Sequence, residues 1–178
     1  MVSAKHIIFV LSFRYFIMIQ RLQSVYLILT IILSGLFLTG NFFEFSGNEG
    51  SRFIINITGI YEIRNAIHRV SAEDIVLTQK IIPVLLIAVI IPIVSLITLF
   101  LFRNRKLQMK AILILIILVI LLIGTSAYYI LPFIRPGNGN LIPVFRMFIP
   151  VINLVLCIMA YFAVRKDENM VRSYDRLR

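Results

Sequence analysis

Cysteine is almost absent: Cys157 stands alone inside an apolar run, so no disulfide framework and no Cys-x-x-Cys metal or redox pair can form. It reads as a small packed side chain. Histidine is nearly as scarce, with two in the chain, and neither a His-Glu-x-x-His pattern nor a glycine-rich phosphate loop occurs. Acids number eight against eighteen Lys and Arg, and no carboxylate lies within a long apolar run where a membrane proton relay would need one. The one cluster with acid-base or metal-binding potential, His68 with Glu73 and Asp74, reads better as solvated loop residues, since no second histidine accompanies it. These gaps argue against an enzyme and call for no cofactor and no metal. The net charge of +10 raises nucleic acid as a partner, but the cations cluster at the ends of apolar runs. Without a basic recognition helix or an aromatic RNA-reading motif, the charge argues for lipid headgroups and membrane topology and against nucleic acid.

What is present is apolar: 60% hydrophobic residues and a mean hydropathy of +0.98, against about 45 to 50% in soluble domains. Arg103 to Lys110 is the polar break that organises the chain, carrying Arg103, Arg105, Lys106 and Lys110 and no acid. Ile81 to Phe102 precedes it and Ala111 to Leu131 follows, each long enough for the roughly 20 residues that cross a hydrocarbon core. That pattern predicts a hairpin with a cytoplasmic turn. Two further apolar runs, 22–43 and 143–164, complete four expected spans. Twelve of the eighteen cations then fall before the first span, in the central turn or after the last, which predicts both termini in the cytoplasm. The expected class is an all-α membrane protein with four transmembrane helices, N-in and C-in, and a small outer strand/helix segment between helices 1 and 2. The division is an N-terminal extension 1–17, a transmembrane domain 18–164 with outer loop 44–80, and a basic cytoplasmic tail 165–178.

Within the first span, Thr30, Ser34 and Asn41 share a face beside Gly35 and Gly40, a small and polar seam that lets helices approach closely. Phe42, Phe43 and Phe45 suit the headgroup level. In the outer loop, residues 53–63 alternate as a half-buried strand or hairpin, a short amphipathic helix follows, and Ser71 is a candidate N-cap for a helix running on into the second span. Pro92 should kink that span, with Ser95 one turn on to satisfy part of the freed backbone. Arg146 is the one charge inside a span. It either snorkels to the outer headgroups, avoiding about 2.5 to 3.5 kcal/mol at mid-bilayer, or faces the helices to bind an anion. Asn153 lies about 15 Å deep and needs a partner. With Arg146, Pro150 and Cys157 it forms a seam that should meet another helix, plausibly at Thr30 and Ser34. The tail reads as a helix with Arg172, Arg176 and Arg178 on it, able to lie on an anionic leaflet or dock on a protein.

Three segments carry a resemblance: Met18-Ile19-Gln20-Arg21 with Gln23-Ser24-Val25-Tyr26, the turn Arg103-Asn104-Arg105-Lys106-Leu107-Gln108, and the tail from Arg165-Lys166-Asp167-Glu168 to Asp175-Arg176-Leu177-Arg178. They resemble a bacterial four-span inner-membrane protein family of unknown function. The resemblance implies a start at Met18 and four helices, and no activity. The expected role is a non-catalytic accessory or scaffold subunit that offers a basic cytoplasmic face to a membrane or cytosolic protein partner or to anionic lipid. The alternative is a small transporter or oligomeric channel lined by the polar seams.

Overall fold

The computed structural model describes residues 22–46, 52–63, 75–132, 140–142 and 144–175. Helix α1 covers Leu22–Leu38. Strands β1 (Asn41–Ser46), β2 (Arg52–Asn56), β3 (Gly59–Ile63) and β4 (Ile75–Lys80) follow, then helices α2 (Ile82–Phe100) and α3 (Arg105–Ile130), strand β5 (Asn140–Ile142), and helix α4 (Ile149–Asp175). Each helix turns one narrow stripe inward. The buried positions are Gln23, Leu27, Thr30, Ser34 and Phe37 on α1, and Val84, Ala88, Ile91, Ser95 and Thr98 on α2. On α3 they run from Gln108 through Leu115 and Leu122 to Ile130, and on α4 from Ile149 through Asn153, Cys157, Ala160 and Val164 to Asp167. Steps of three and four residues repeat throughout, the spacing of helices that pack at a shallow left-handed angle. The outward faces carry exposed Ile, Leu and Phe, such as Ile93, Ile117 and Phe162. An apolar surface that continuous needs lipid, and α2, α3 and α4 are long and apolar enough to cross a membrane. The protein is a membrane protein.

The expected all-α, four-span class is corrected by a five-stranded antiparallel sheet in the order β4-β3-β2-β1-β5. Among the described residues three helices, not four, have the length and composition to cross a membrane. The apolar run of the first expected span does not stay helical to Phe43. The described part of α1, seventeen residues or about 26 Å at 1.5 Å per residue, ends at Leu38, where the chain turns at Thr39 and Gly40 and enters β1. Phe42 and Phe45, expected as a headgroup collar, are buried instead against the ends of the helices. The second correction lies before α2, where residues 75–80 form a strand and no helix runs into the span. Ile75, Val76 and Thr78 favour extended backbone through β-branching, and α2 starts at Ile82 with Pro83 in its first turn, where a missing N–H costs nothing. The Ser71 cap, the start at Met18 and the extension 1–17 lie outside the described residues.

The hairpin of β2 and β3 is closed by Asn56, whose Oδ1 accepts from the backbone of Thr58 (2.9 Å) and Gly59 (3.0 Å) and from the Thr58 hydroxyl (2.6 Å). An Asn side chain standing in for backbone in this way fixes a tight turn, and it sets the register Ile55 opposite Ile60. Gly59 is required next: a Cβ there would stand 2.7 Å from the Gln79 carbonyl oxygen, where β4 bulges between Gln79 and Leu77. Since β1 follows α1, β4 leads into α2 and β5 precedes α4, the sheet closes one end of the helices. The α2–α3 turn and the distal part of α4 occupy the other end.

Candidate functional site

At the end away from the sheet, the buried stripe of each helix finishes in a polar residue: Gln23 on α1, Thr98 on α2, Gln108 on α3 and Asp167 on α4. Gln23 Nε2 donates to Gln108 Oε1 (3.3 Å), and Gln108 Nε2 donates to the Thr98 carbonyl (3.3 Å). Thr98 Oγ1 in turn donates to the Val94 carbonyl (2.7 Å). The layer ties α1, α2 and α3 through amides buried from solvent, where an unmade bond costs about 1 to 3 kcal/mol. Asp167 is 2% exposed and its Oδ1 has no partner, while the Arg105 Nη1 donates to the Asp167 backbone carbonyl (3.3 Å). Asp167 lies beyond Arg165 and Lys166, past the apolar part of α4. Burial pushes its carboxyl above the ordinary range, with Arg105 and then Lys166 pulling it back.

The polar break is shorter than its sequence suggests. A 3-10 turn, Leu101–Arg103, and Asn104 make the whole reversal; the Asn104 carboxamide accepts from the Leu107 amide (3.3 Å) as N-cap of α3. Arg105, Lys106 and Lys110 therefore stand on the first turns of a helix, with Lys106 and Lys110 exposed. Arg165 and Lys166 project from α4, also exposed. The basic edge is thus carried on two rigid elements that pack against one another. Arg172 lies within α4, but its side chain, that of Arg103, and Arg176 and Arg178 are outside the described residues, as are His68, Glu73 and Asp74. Among the described residues no group of three His, Cys, Asp or Glu could hold a metal ion.

Midway along the helices the structure brings together the two seams. Asn153 Nδ2 donates to Ser34 Oγ (3.1 Å), both side chains buried. Thr30 lies against Cys157 and donates to the Tyr26 carbonyl (2.9 Å). Ser95 does not serve the backbone freed by Pro92 in its own helix; its Oγ donates to the Leu27 carbonyl of α1 (3.2 Å). These bonds set the register of α1 against α2 and α4, and their partners are hydroxyls, an amide and backbone carbonyls, with no proton-transfer pair among them.

Arg146 is not in the helix. It sits in a 3-10 turn, Phe145–Phe148, just ahead of α4, and its Nε donates to the Leu36 carbonyl (3.3 Å) in the last turn of α1. Gly40 makes room for it, since a Cβ at that position would be 2.6 Å from Arg146 Cζ. The Leu36 carbonyl also accepts from the Thr39 N–H (3.3 Å) and the Thr39 hydroxyl (3.0 Å); a cation added at the negative end of a helix is favourable, by about 0.3 to 2 kcal/mol depending on burial. Beside it on β1, Glu44 forms an ion pair with Arg52 and accepts from Asn41 Nδ2 (3.3 Å).

Sequence reasoning missed Gln23, Thr98, Gln108 and Asp167. The signal was there in part: Gln108 precedes Ile112 by four and Asp167 follows Val164 by three, so both extend an inward stripe past its apolar stretch.

Compared with known proteins, the chain matches over residues 19–177 the model of a domain of unknown function, DUF4293, and belongs to that family. No curated protein and no solved structure matches it.

Proposed function

We propose that this member of the DUF4293 family is a non-catalytic inner-membrane protein, both termini cytoplasmic, that serves as an accessory or scaffold subunit by offering its basic edge to an acidic partner. The observation that carries the reading is the buried amide layer of Gln23, Gln108 and the Thr98 carbonyl directly behind that edge. It holds Arg105, Lys106 and Lys110 on a helix fixed to its neighbours, so the cations meet a partner without first being ordered. The positive-inside pattern of Lys and Arg supports the cytoplasmic assignment of the edge. The transporter alternative draws less support, because Ser34 and the Asn153 Nδ2 bond one another and Ser95 bonds backbone.

A photoreactive residue at position 106 or 110 in the full chain, activated in intact membranes, tests the proposal. One acidic partner should be enriched and should be lost when Lys106 and Lys110 are changed together to Glu. Adducts that are diverse and insensitive to charge reversal would sink it. Labelling of residues 103–110 by an impermeant reagent added to intact spheroplasts would overturn the sidedness.

A further inference from the structure

We propose that the sheet end of the helices holds one anionic phospholipid, with an alkyl chain in the cleft between α3 and α4 and the phosphate on Arg146. This site is at the opposite end from the basic edge and does not depend on it. The cleft has a volume of about 180 Å³ and is lined chiefly by Phe37, Phe42, Ile123, Ala127, Met147 and Pro150. An apolar cavity of about 150 Å³ takes a benzene ring, so this one accepts a stretch of alkyl chain of similar size. It opens to the membrane side of the protein, where Ala127 and Val151 are exposed.

Two polar features distinguish it from an ordinary dent in a lipid-facing surface. Ser126 borders the cleft, is 6% exposed, and its hydroxyl has no partner among the described residues. A buried hydroxyl left unpaired is costly, and the ester oxygens at the head of an acyl chain are acceptors of the kind it lacks. Arg146 adjoins both walls: it precedes Met147, and its acceptor Leu36 precedes Phe37. Only Nε of its guanidinium has a hydrogen-bond partner among the described residues, so Nη1 and Nη2 remain for an anion, and Glu44 is already engaged by Arg52 and Asn41. A phosphate fits the guanidinium fork through two parallel charge-assisted bonds. A cleft that takes part of an alkyl chain, with an arginine next in sequence to its lining residue Met147, selects a phospholipid over a free phosphate or a neutral glyceride.

The test uses the full chain in detergent micelles with two photoreactive lipids bearing the same diazirine acyl chain, a phosphatidylglycerol and a diacylglycerol. Phosphatidylglycerol should label Ile123, Ala127 and Met147 about ten-fold more strongly, the ratio expected for one charge-assisted contact. Ala127→Phe, a change at the exposed rim, should abolish that labelling while leaving the thermal midpoint near wild type. Arg146→Gln should reduce phosphatidylglycerol to the diacylglycerol level, and Arg146→Lys should keep part of the difference. Equal labelling by the two lipids, or labelling unchanged in Ala127→Phe, overturns the proposal; both readouts stand even if Arg146→Gln fails to fold.

Discussion

Removing the Ser34 hydroxyl should cost more than removing the amide it serves. Asn153 is 2% exposed and among the described residues makes one bond, Nδ2 to Ser34 Oγ at 3.1 Å, while its Oδ1 has no partner there. Ser34→Ala deletes a bond worth about 0.6 kcal/mol on average and about 1.7 at most between membrane helices. It also leaves both ends of the Asn153 amide unpaired, and a second orphaned group adds about 1 kcal/mol or more. The sum is about 2 kcal/mol. Asn153→Leu loses the same bond but removes the orphaned oxygen with it, so its cost should stay within about 1 kcal/mol. In Ser34→Ala/Asn153→Leu nothing polar is left unpaired, and the double variant should resemble Asn153→Leu alone. Equilibrium unfolding in mixed micelles, followed as a complete double-mutant cycle, measures the coupling. Single effects that add within about 0.3 to 0.5 kcal/mol, or a Ser34→Ala chain as stable as wild type, would refute the claim that this pair fixes α1 against α4.

Three further outcomes follow from the same geometry. Gly59→Ala places a Cβ against the Gln79 carbonyl oxygen at 2.7 Å, backbone that cannot step aside, so β4 should lose its pairing and the amides of the β3–β4 ladder should exchange faster with deuterium. Gly40→Ala should push the Arg146 guanidinium off the Leu36 carbonyl at a cost of about 1 kcal/mol, and the effect should vanish in a chain that already carries Arg146→Ala; persistence there would mean Gly40 acts through its backbone instead. For Asp167 the folded carboxyl is raised above its unfolded value of about 3.9, so its contribution is full below that pH and is lost as pH rises through the folded pKa. Asp167→Asn should therefore flatten the dependence of the thermal midpoint on pH across that window and leave the variant more stable than wild type at neutral pH; an equal slope in both would show that the carboxyl does not titrate abnormally.

The parts of the fold written locally were readable, and the parts that depend on distant partners were not. Asn153 announced itself because one amide at depth in an apolar run has to find a partner, and the small polar seam of α1 offered a plausible one. Strand β4 did not, because Ile75-Val76-Leu77 leads through Gln79 and Lys80 into the apolar start of α2 and merges with its hydropathy. What makes it a strand is its pairing with β3, including the bulge between Leu77 and Gln79 and the glycine opposite it. Strand β1 was hidden in the same way: a run of phenylalanines at the end of a span suits a headgroup collar as well as it suits a sheet. Asp167 was legible as a charge but not as a buried one, since a residue after Arg165 and Lys166 belongs by composition to a solvated tail, and only the continuation of the α4 stripe contradicts that.

The point at which α1 ends bears on why a charge sits where Arg146 does. A helix that ends at Leu38 leaves its last carbonyls open close to the hydrocarbon region, and lipid offers them no hydrogen-bond donor. Extension of the helix would have met that need within it, but Gly40 and Asn41 end it and the chain goes into β1. Thr39 serves the Leu36 carbonyl locally, through its N–H (3.3 Å) and its hydroxyl (3.0 Å), and a charged donor is added from the 3-10 turn ahead of α4, whose Arg146 reaches the same carbonyl across the space that Gly40 leaves free. The arginine and the glycine thus answer the same structural problem. That accounts for a cation among apolar residues on structural grounds: it adds a charged bond to the end of α1 and ties the turn ahead of α4 to it.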